Sequence, residues 1–229
     1  MITGGAEHWD DFFEQSLIPQ VFDYVINSWE QVPVPEPGEL EDVVSDQLYT
    51  QMLKSKQRNH FPFLISREDL EFDLELAKES GRKDIVFYPS LQEQDIYMCL
   101  EAKRLNAIVS GKKRSCASEY VKDGLQRFVD GKYAKCVRHA AMLGYVLDGD
   151  VSNAMGNVEK NILSRTSELG MLEGSGFLDS TIRVTDSFAK ETHHARKKNN
   201  GEKIRVHHLF LECHIMSQDA RVSQTSSDN

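Results

Sequence analysis

Hydrophobic and polar positions follow a helical period in some segments of the chain and a strand period in others. Over 39–56, apolar residues recur every three to four positions, which predicts an amphipathic helix. Alternation or short apolar runs predict strands over 70–77, 83–89 and 95–103. The polar stretch PSLQEQD separates the last two strands, so we expect them to form a hairpin.

The second half of the chain continues this mixture of periods. It predicts a long helix over 118–140, a buried strand over 141–149 and a helix over 151–169. Two late strands, over 181–189 and 203–213, are joined by the basic, turn-rich segment KETHHARKKNNGE. The order of elements predicts a mixed α/β fold in which helices flank a central sheet that contains the hairpin.

Composition divides the chain into three parts. Aromatic and acidic residues with helical spacing precede a proline-rich connector, which predicts an N-terminal helical extension and connector over 1–38. We assign the folded domain to 39–216. The polar end of the chain predicts a disordered tail over 217–229.

Charge is segregated along the chain. The net charge is −9, but residues 1–100 carry 20 acids and 7 bases, whereas residues 101–140 carry 4 acids and 10 bases. An acidic protein with one basic block has either a surface that faces a polyanion or a chance excess of bases on solvated helix faces.

The chain shows no stretch of apolar residues long enough to span a membrane and no signal-peptide pattern. Its four cysteines are scattered and form no CxxC pair, which is typical of a reducing compartment. We therefore expect a cytoplasmic protein without a membrane partner.

The candidate chemistry lies at the predicted hairpin. Glu101 and Lys103 share one face of their strand, since side chains alternate between faces. A hairpin that turns near residue 92 places Asp84 opposite Leu100, within about one residue of Glu101. Two carboxylates and an ammonium group are therefore expected to converge at one point.

Oxygen ligands from Asp84 and Glu101, with the main-chain carbonyl of Ala102, suit Mg²⁺ or Mn²⁺. A water bound to such a metal ion can act as the nucleophile in phosphodiester hydrolysis. Lys103 can orient that water and stabilise negative charge in the transition state.

Asp84 followed by Glu101-Ala102-Lys103 at the end of an apolar strand resembles the PD-(D/E)XK nuclease superfamily, which has the restriction-endonuclease-like fold. GRKDIVF is similar to the first metal-binding strand of that family, and the helix from Glu39 is similar to its leading helix. The resemblance covers about 39–215. The literal Pro-Asp is absent, because Lys83 precedes Asp84.

The resemblance implies a Mg²⁺-dependent or Mn²⁺-dependent endonuclease that cleaves DNA. It also implies a further carboxylate on the leading helix. We assign that carboxylate to Glu41 as a catalytic and metal-side residue, with Glu39 and Asp42 as rivals. The family also suggests a role in bacterial antiviral defence or a restriction-type complex. Because the net charge is negative, we expect weak binding to DNA by the chain alone. A partner protein would deliver the chain to DNA, with the segment 8–30 as a docking surface, or the chain would act as a homo-oligomer.

Candidate nucleic-acid contacts come from the basic block. The residues expected to contact the phosphate backbone are Lys112, Lys113, Arg114, Lys122, Arg127 and Lys132. Each of them taken alone is better explained as an ordinary surface residue, and it is the cluster that favours a contact with phosphate.

Several alternatives stay open at this stage. Asp73, Glu75 or Asp95 can replace Asp84 as a ligand, and Glu101-x-Lys103 can be an incidental ion pair. The chain can instead be an RNA-directed nuclease, a catalytically silent nuclease-fold subunit or an unrelated interaction protein.

A second basic patch lies near the predicted hairpin tip between the late strands, where a solvated surface is the simpler interpretation. Its members are His193, His194, Arg196, Lys197 and Lys198. A zinc site is disfavoured, because adjacent histidines on a strand point to opposite faces. The residues concerned are His207, His208, Cys213 and His214.

Overall fold

The computed structural model describes residues 17–59, 62–73, 78–89, 97–132, 137–172, 176–196 and 201–213. Within them, helices cover both faces of a seven-stranded mixed sheet. The mixed α/β class expected from the sequence is therefore confirmed.

The helices contribute layers on the two faces of the sheet. They are α1 (Ile18–Trp29), α2 (Glu41–Asn59), α3 (Ala117–Tyr120), α4 (Gln126–Val129) and α5 (Val151–Leu163). A π-helical segment, Val121–Leu125, joins α3 to α4.

The strands of the large sheet are β1 (Phe63–Asp73), β2 (Lys78–Pro89), β3 (Met98–Leu105), β6 (His139–Val146), β7 (Leu178–Asp179), β8 (Ala189–Ala195) and β9 (Lys203–Glu212). A separate two-stranded sheet pairs β4 (Ala107–Val109) with β5 (Lys112–Arg114).

The large sheet has the strand order β1-β2-β3-β6-β9-β8-β7. β3, β6 and β9 are parallel, whereas β1, β2 and β3 pair antiparallel, as do β9, β8 and β7. The central strand β6 is buried at every position, because both of its faces are covered. β2 and β3 pair only over three residues each, so the two strands separate beyond Ile85 and Leu100.

Two hydrophobic cores lie on opposite faces of the sheet. One contains Val44, Leu48 and Met52 of α2 and the apolar face of α1. The other contains the residues of α3, α4 and α5 that face the sheet. Glu101 and Lys103 therefore lie on a strand that is enclosed by helical layers on both sides.

The N-terminal helix α1 is part of the first core. Ile18, Val21, Phe22 and Val25 are fully buried, and Trp29 stacks on Tyr145 of β6. The aromatic residues of 17–30 are therefore packed inside the fold and do not form the expected docking surface. Residues 8–16 of that proposed surface lie outside the described residues, and the domain boundary at 38 stays a prediction.

The predicted long helix over 118–140 is wrong over 130–132 and 137–140, and residues 133–136 lie outside the described residues. The helical segment ends at Val129, and His139 already begins β6. Gly131 has a φ of 66°, and its N–H donates to Phe128 O, which is the usual way in which a glycine ends a helix. The Asp-Gly dipeptide at 130–131 is the feature of the sequence that indicates this helix end.

The late strands are also shifted from their predicted positions. Ser180 Oγ accepts hydrogen bonds from the N–H groups of Ile182 and Arg183, and Asp186 N donates to Arg183 O, so local bonds take the place of strand pairing at these positions of 181–189. The strand is instead β8, within the segment predicted as a connection. Its buried positions carry Glu191, Thr192 and His194, which a hydrophobic pattern does not reveal.

Other predictions agree with the structure or lie beyond it. α2 and β9 match their predicted segments, and residues 112–114, for which no element is predicted, form strand β5. The hairpin turn over 90–96 and the tail 217–229 lie outside the described residues. No helix within the described ranges is long and apolar enough to cross a membrane.

Candidate active site

The antiparallel pair β2–β3 brings Asp84 next to the Glu101-Ala102-Lys103 segment. The observed register pairs Ile85 with Leu100, one residue away from the predicted register. This shift brings Asp84 closer to Glu101 than expected, and Asp84 Oδ2 accepts a hydrogen bond of 2.8 Å from Ala102 N. The aspartate is thereby fixed to the main chain of the strand that carries the glutamate.

The amino-terminal end of α2 supplies a third carboxylate. Glu41 Oε1 lies 2.8 Å from Lys103 Nζ, and Glu41 Oε2 accepts a hydrogen bond of 3.2 Å from Arg104 N. Arg104 Nη1 also donates to Glu39 O at 2.9 Å. These bonds dock the start of the helix on the edge of β3 that β2 leaves uncovered.

Lys103 lies at the centre of the cluster. Its Nζ contacts Glu41 Oε1, Glu101 Oε1 at 2.9 Å and Ala102 O at 2.7 Å. Burial alone lowers the pKa of Lys103, but Glu101, Glu41 and Asp84 together raise it above its ordinary value. The lysine is therefore held as an ammonium ion.

Glu101 is buried at 1% exposure, and its two oxygens have different surroundings. Oε1 accepts from Lys103 Nζ and from Arg127 Nη1 at 3.0 Å. Oε2 is buried and has no hydrogen-bond partner among the described residues. Burial and the nearby Asp84 raise the pKa of Glu101 to about 7, against the opposing effect of Lys103 and Arg127.

Arg67 of β1 belongs to the site, although the sequence pattern did not indicate it. Its Nη1 donates to Asp84 O at 3.1 Å and lies 3.9 Å from Asp84 Oδ1. Its Nε donates to Asp46 Oδ1 of α2 at 3.1 Å. The predicted strand begins at residue 70, so Arg67 was not a candidate for the site.

The structure separates the alternative carboxylates. Glu41 reaches Lys103, while Asp42 lies exposed, 3.9 Å from Arg67 Nη2. Asp73 pairs with Lys78 near the far end of the β1–β2 ladder, away from Asp84. Glu75 and Asp95 lie outside the described residues. Asp84, Glu101, Lys103 and Glu41 are thus the residues that come together.

The predicted nucleic-acid residues are divided between the surface and the site. Lys112, Lys113, Arg114, Lys122 and Lys132 are exposed. Lys113 and Arg114 are paired within the chain, since Lys113 Nζ lies 2.6 Å from Asp148 and Arg114 Nη2 lies 2.9 Å from Glu119.

Arg127 is the exception among the predicted nucleic-acid residues, because it contacts Glu101 at the candidate site. The second basic patch is largely internal: His194 and Arg196 are buried, while Lys197 and Lys198 lie outside the described residues. His207 and His208 are buried as well, and His214 lies outside the described residues.

A hard divalent cation fits part of this arrangement. Glu101 Oε2 is a buried oxygen that lacks a partner among the described residues, and Asp84 offers a second carboxylate beside it. Mg²⁺ commonly uses one or two protein carboxylates and keeps several waters. Groups of three or more His, Cys, Asp or Glu placed to hold a metal ion are absent from the described part of the chain.

Comparison with known proteins finds no family model, no curated protein and no solved structure that matches the chain.

Proposed function

We propose that the protein is a metal-dependent nuclease that hydrolyses phosphodiester bonds of DNA, with a PD-(D/E)XK-like site. The observation that carries the proposal is the convergence of Asp84, Glu101, Lys103 and Glu41 from three separate elements on one point. The order α2, three antiparallel strands, a helical segment and the parallel strand β6 is in keeping with the restriction-endonuclease-like fold.

Asp84 and Glu101 would hold Mg²⁺ or Mn²⁺, with the carbonyl of Ala102 as a further oxygen ligand. Bound there, the ion would polarise a phosphate oxygen and lower the pKa of a bound water. Glu101 must be ionised for this role. Its pKa near 7 makes metal binding weaker under acidic conditions.

Lys103 has the protonation state that charge stabilisation requires. As an ammonium group, it donates to three oxygens, and on metal binding it would release one of them to orient an attacking water or to donate to a phosphate oxygen that gains negative charge. Glu41 positions Lys103 and is itself fixed by Arg104 N. Arg127, part-exposed beside Glu101, is suited to contact the adjacent phosphate.

The nuclease would be delivered to DNA by a partner protein or as a homo-oligomer, in a cytoplasmic defence or restriction-type complex. Support for assisted binding comes from the net charge of −9 and from the internal pairing of Lys113 and Arg114. A surface of this kind gives weak and salt-dependent binding to DNA on its own.

A catalytically silent subunit with the same fold is the second candidate. The observation that favours it is the position of Lys103 Nζ, which fills the space between Glu41, Glu101 and the main chain as a cation would. A silent site would keep this lysine as a permanent replacement for the metal ion.

The test is a cleavage assay on plasmid, linear DNA and RNA with Mg²⁺ or Mn²⁺. Lys103→Ala should abolish metal-dependent cleavage of DNA, whereas the exposed Lys160→Ala should retain it. Cleavage of RNA alone would move the proposal to the RNA-directed alternative.

If neither the wild type nor the variants cleave, titration with Mn²⁺ separates the remaining cases. Mn²⁺ binding that Glu101→Gln removes points to an active site that requires its partner. Absence of binding supports the silent subunit and overturns the nuclease proposal.

A further inference from the structure

A cationic cleft lies at the end of the sheet where β6 and β9 begin and β8 ends. Its volume is about 430 Å³, within the usual range for small-molecule sites. Five basic or imidazole side chains line it: Arg138, His139, His193, Lys203 and Arg205. The cleft is distinct from the Asp84 cluster and involves none of its residues.

The strand register explains why these residues meet. Arg205 is paired with His139 on one side and with His193 on the other, so the three side chains lie at one level on three neighbouring strands. Arg205 N also donates to Arg138 O at 2.8 Å. The convergence is therefore built into the sheet and does not depend on a chance arrangement of loops.

A buried carboxylate organises the imidazoles behind the cleft. Glu191 is 1% exposed, and its Oε1 lies 2.9 Å from His193 Nε2. Its Oε2 accepts hydrogen bonds from Thr181 N and Oγ1. The Glu191 carboxylate is thus satisfied inside the fold and fixes one wall of the cleft.

His139 is held in a similar way through a second imidazole. His139 Nδ1 lies 3.3 Å from His207 Nε2, and His207 Nδ1 lies 4.0 Å from Glu191 Oε2. Burial and the adjacent cations lower the pKa of His207 well below its ordinary value, so this histidine is neutral. Both imidazoles that line the cleft are therefore oriented by buried neighbours.

We propose that this cleft binds the phosphate group of a small phosphorylated ligand. Three permanent cations in a concave site raise the local concentration of anions, and guanidinium groups match the geometry of phosphate oxygens. The exposed Leu172 adds apolar surface to the same cleft. This mixture suits a nucleoside monophosphate or a phosphorylated end of a nucleic acid, which present the same group.

The cleft is separated from the proposed nuclease site within one sheet. Glu101 is paired with Met142, three residues beyond His139 on β6. That offset corresponds to about 10 Å along the strand. In addition, β3 and β9 lie on opposite sides of β6, so variants of one site leave the other intact.

The experiment is calorimetric titration of the full chain, without divalent metal, with inorganic phosphate, adenosine 5′-monophosphate and adenosine. The double variant Arg138→Gln/Lys203→Gln removes two exposed cations of the cleft. The matched control is Lys54→Gln/Lys160→Gln, which removes two exposed cations elsewhere. Circular dichroism confirms that each variant is folded.

We expect the wild type and the control to bind the monophosphate but not adenosine. The cleft variant should bind the monophosphate at least about tenfold more weakly, because each charge-assisted hydrogen bond contributes roughly a factor of ten or more. Lys103→Ala should bind as the wild type does, so loss of nuclease activity and loss of this site can be told apart.

A short oligonucleotide with and without a 5′-phosphate identifies the source of the group. Tighter binding of the 5′-phosphorylated strand than of the free monophosphate assigns the cleft to a nucleic-acid end. The reverse order assigns it to a free nucleotide. Equal binding of adenosine and its monophosphate, or equal loss in the control variant, overturns the proposal.

Discussion

Two groups of buried or partly buried polar side chains lie on strands of the same sheet and on the helices that cover it, yet their hydrogen bonding differs. The first is the charged cluster of Asp84, Glu101, Lys103 and Glu41. The second is a neutral chain formed by Tyr120, His208, Thr192 and His194, which ends at the carbonyl of Leu169.

The neutral chain is satisfied at every step. His194 Nδ1 donates to Leu169 O at 2.8 Å, which leaves His194 Nε2 to accept from Thr192 Oγ1 at 2.7 Å. Thr192 then accepts from His208 Nε2 at 2.8 Å, and His208 Nδ1 accepts from Tyr120 at 3.0 Å. One set of tautomers therefore pairs every group in the chain.

Burial keeps each member of this chain uncharged. It lowers the pKa of His194 to about 4 and that of His208 well below its ordinary value, and it raises the pKa of Tyr120. The charged cluster has the opposite character, since it retains an ammonium ion and an oxygen of Glu101 that no described residue satisfies. A satisfied buried network is typical of a structural role, whereas an unpaired buried oxygen calls for a further partner such as a water or a cation.

The largest effect on stability should come from breaking the neutral chain. Thr192→Val keeps the shape of the side chain but leaves His208 Nε2 and His194 Nε2 without their partner. We expect the free energy of unfolding to fall by about 2–4 kcal/mol. Denaturant unfolding measures it, with the exposed Thr50→Val as the matched control.

DNA cleavage by the folded Thr192→Val protein should equal that of the wild type. A change below about 0.5 kcal/mol in stability would contradict the structural role of the chain.

Removing the charge of Glu101 should raise the stability of the protein, whereas breaking the neutral chain lowers it. Glu101→Gln should raise the free energy of unfolding at pH 8 without metal by about 1–3 kcal/mol, because the raised pKa means that the folded state favours the uncharged side chain. Denaturant unfolding in the presence of a chelator measures this difference. A loss of stability would mean that the ion pair with Lys103 outweighs the cost of burial.

The pH dependence follows from the raised pKa. Because the pKa of Glu101 is higher in the folded protein than its ordinary value of 4.5, protonation of Glu101 stabilises the fold. This stabilisation is fully present below pH 4.5 and is lost as the pH rises through about 7. The gain from Glu101→Gln should therefore be greatest above pH 7 and shrink as the pH falls towards 4.5. A gain that is constant between pH 8 and pH 5 would contradict the assigned pKa.

The sequence predicted the site better than the sheet around it. Asp84, Glu101 and Lys103 could be placed together because strand alternation and a short hairpin limit register to within a residue. Arg67 could not be found, since its role depends on how β1 and α2 pack, which is a tertiary contact. β8 was missed because Glu191, Thr192 and His194 are polar residues whose burial depends on partners distant in the chain.

The smallest predicted effect is a loss of metal affinity on substitution of Arg67, which contacts the charged cluster through Asp84. Arg67→Met removes the bonds to Asp84 O and Asp46, so Asp84 should be held less rigidly beside Glu101. We expect about a tenfold weaker affinity for Mn²⁺ and a similar loss of cleavage. Arg82→Met is the control, because Arg82 is exposed on β2 and pairs only with surface acids among the described residues. Equal Mn²⁺ affinity in the two variants would show that Asp84 is positioned by Ala102 N alone, and that β1 contributes nothing to the site.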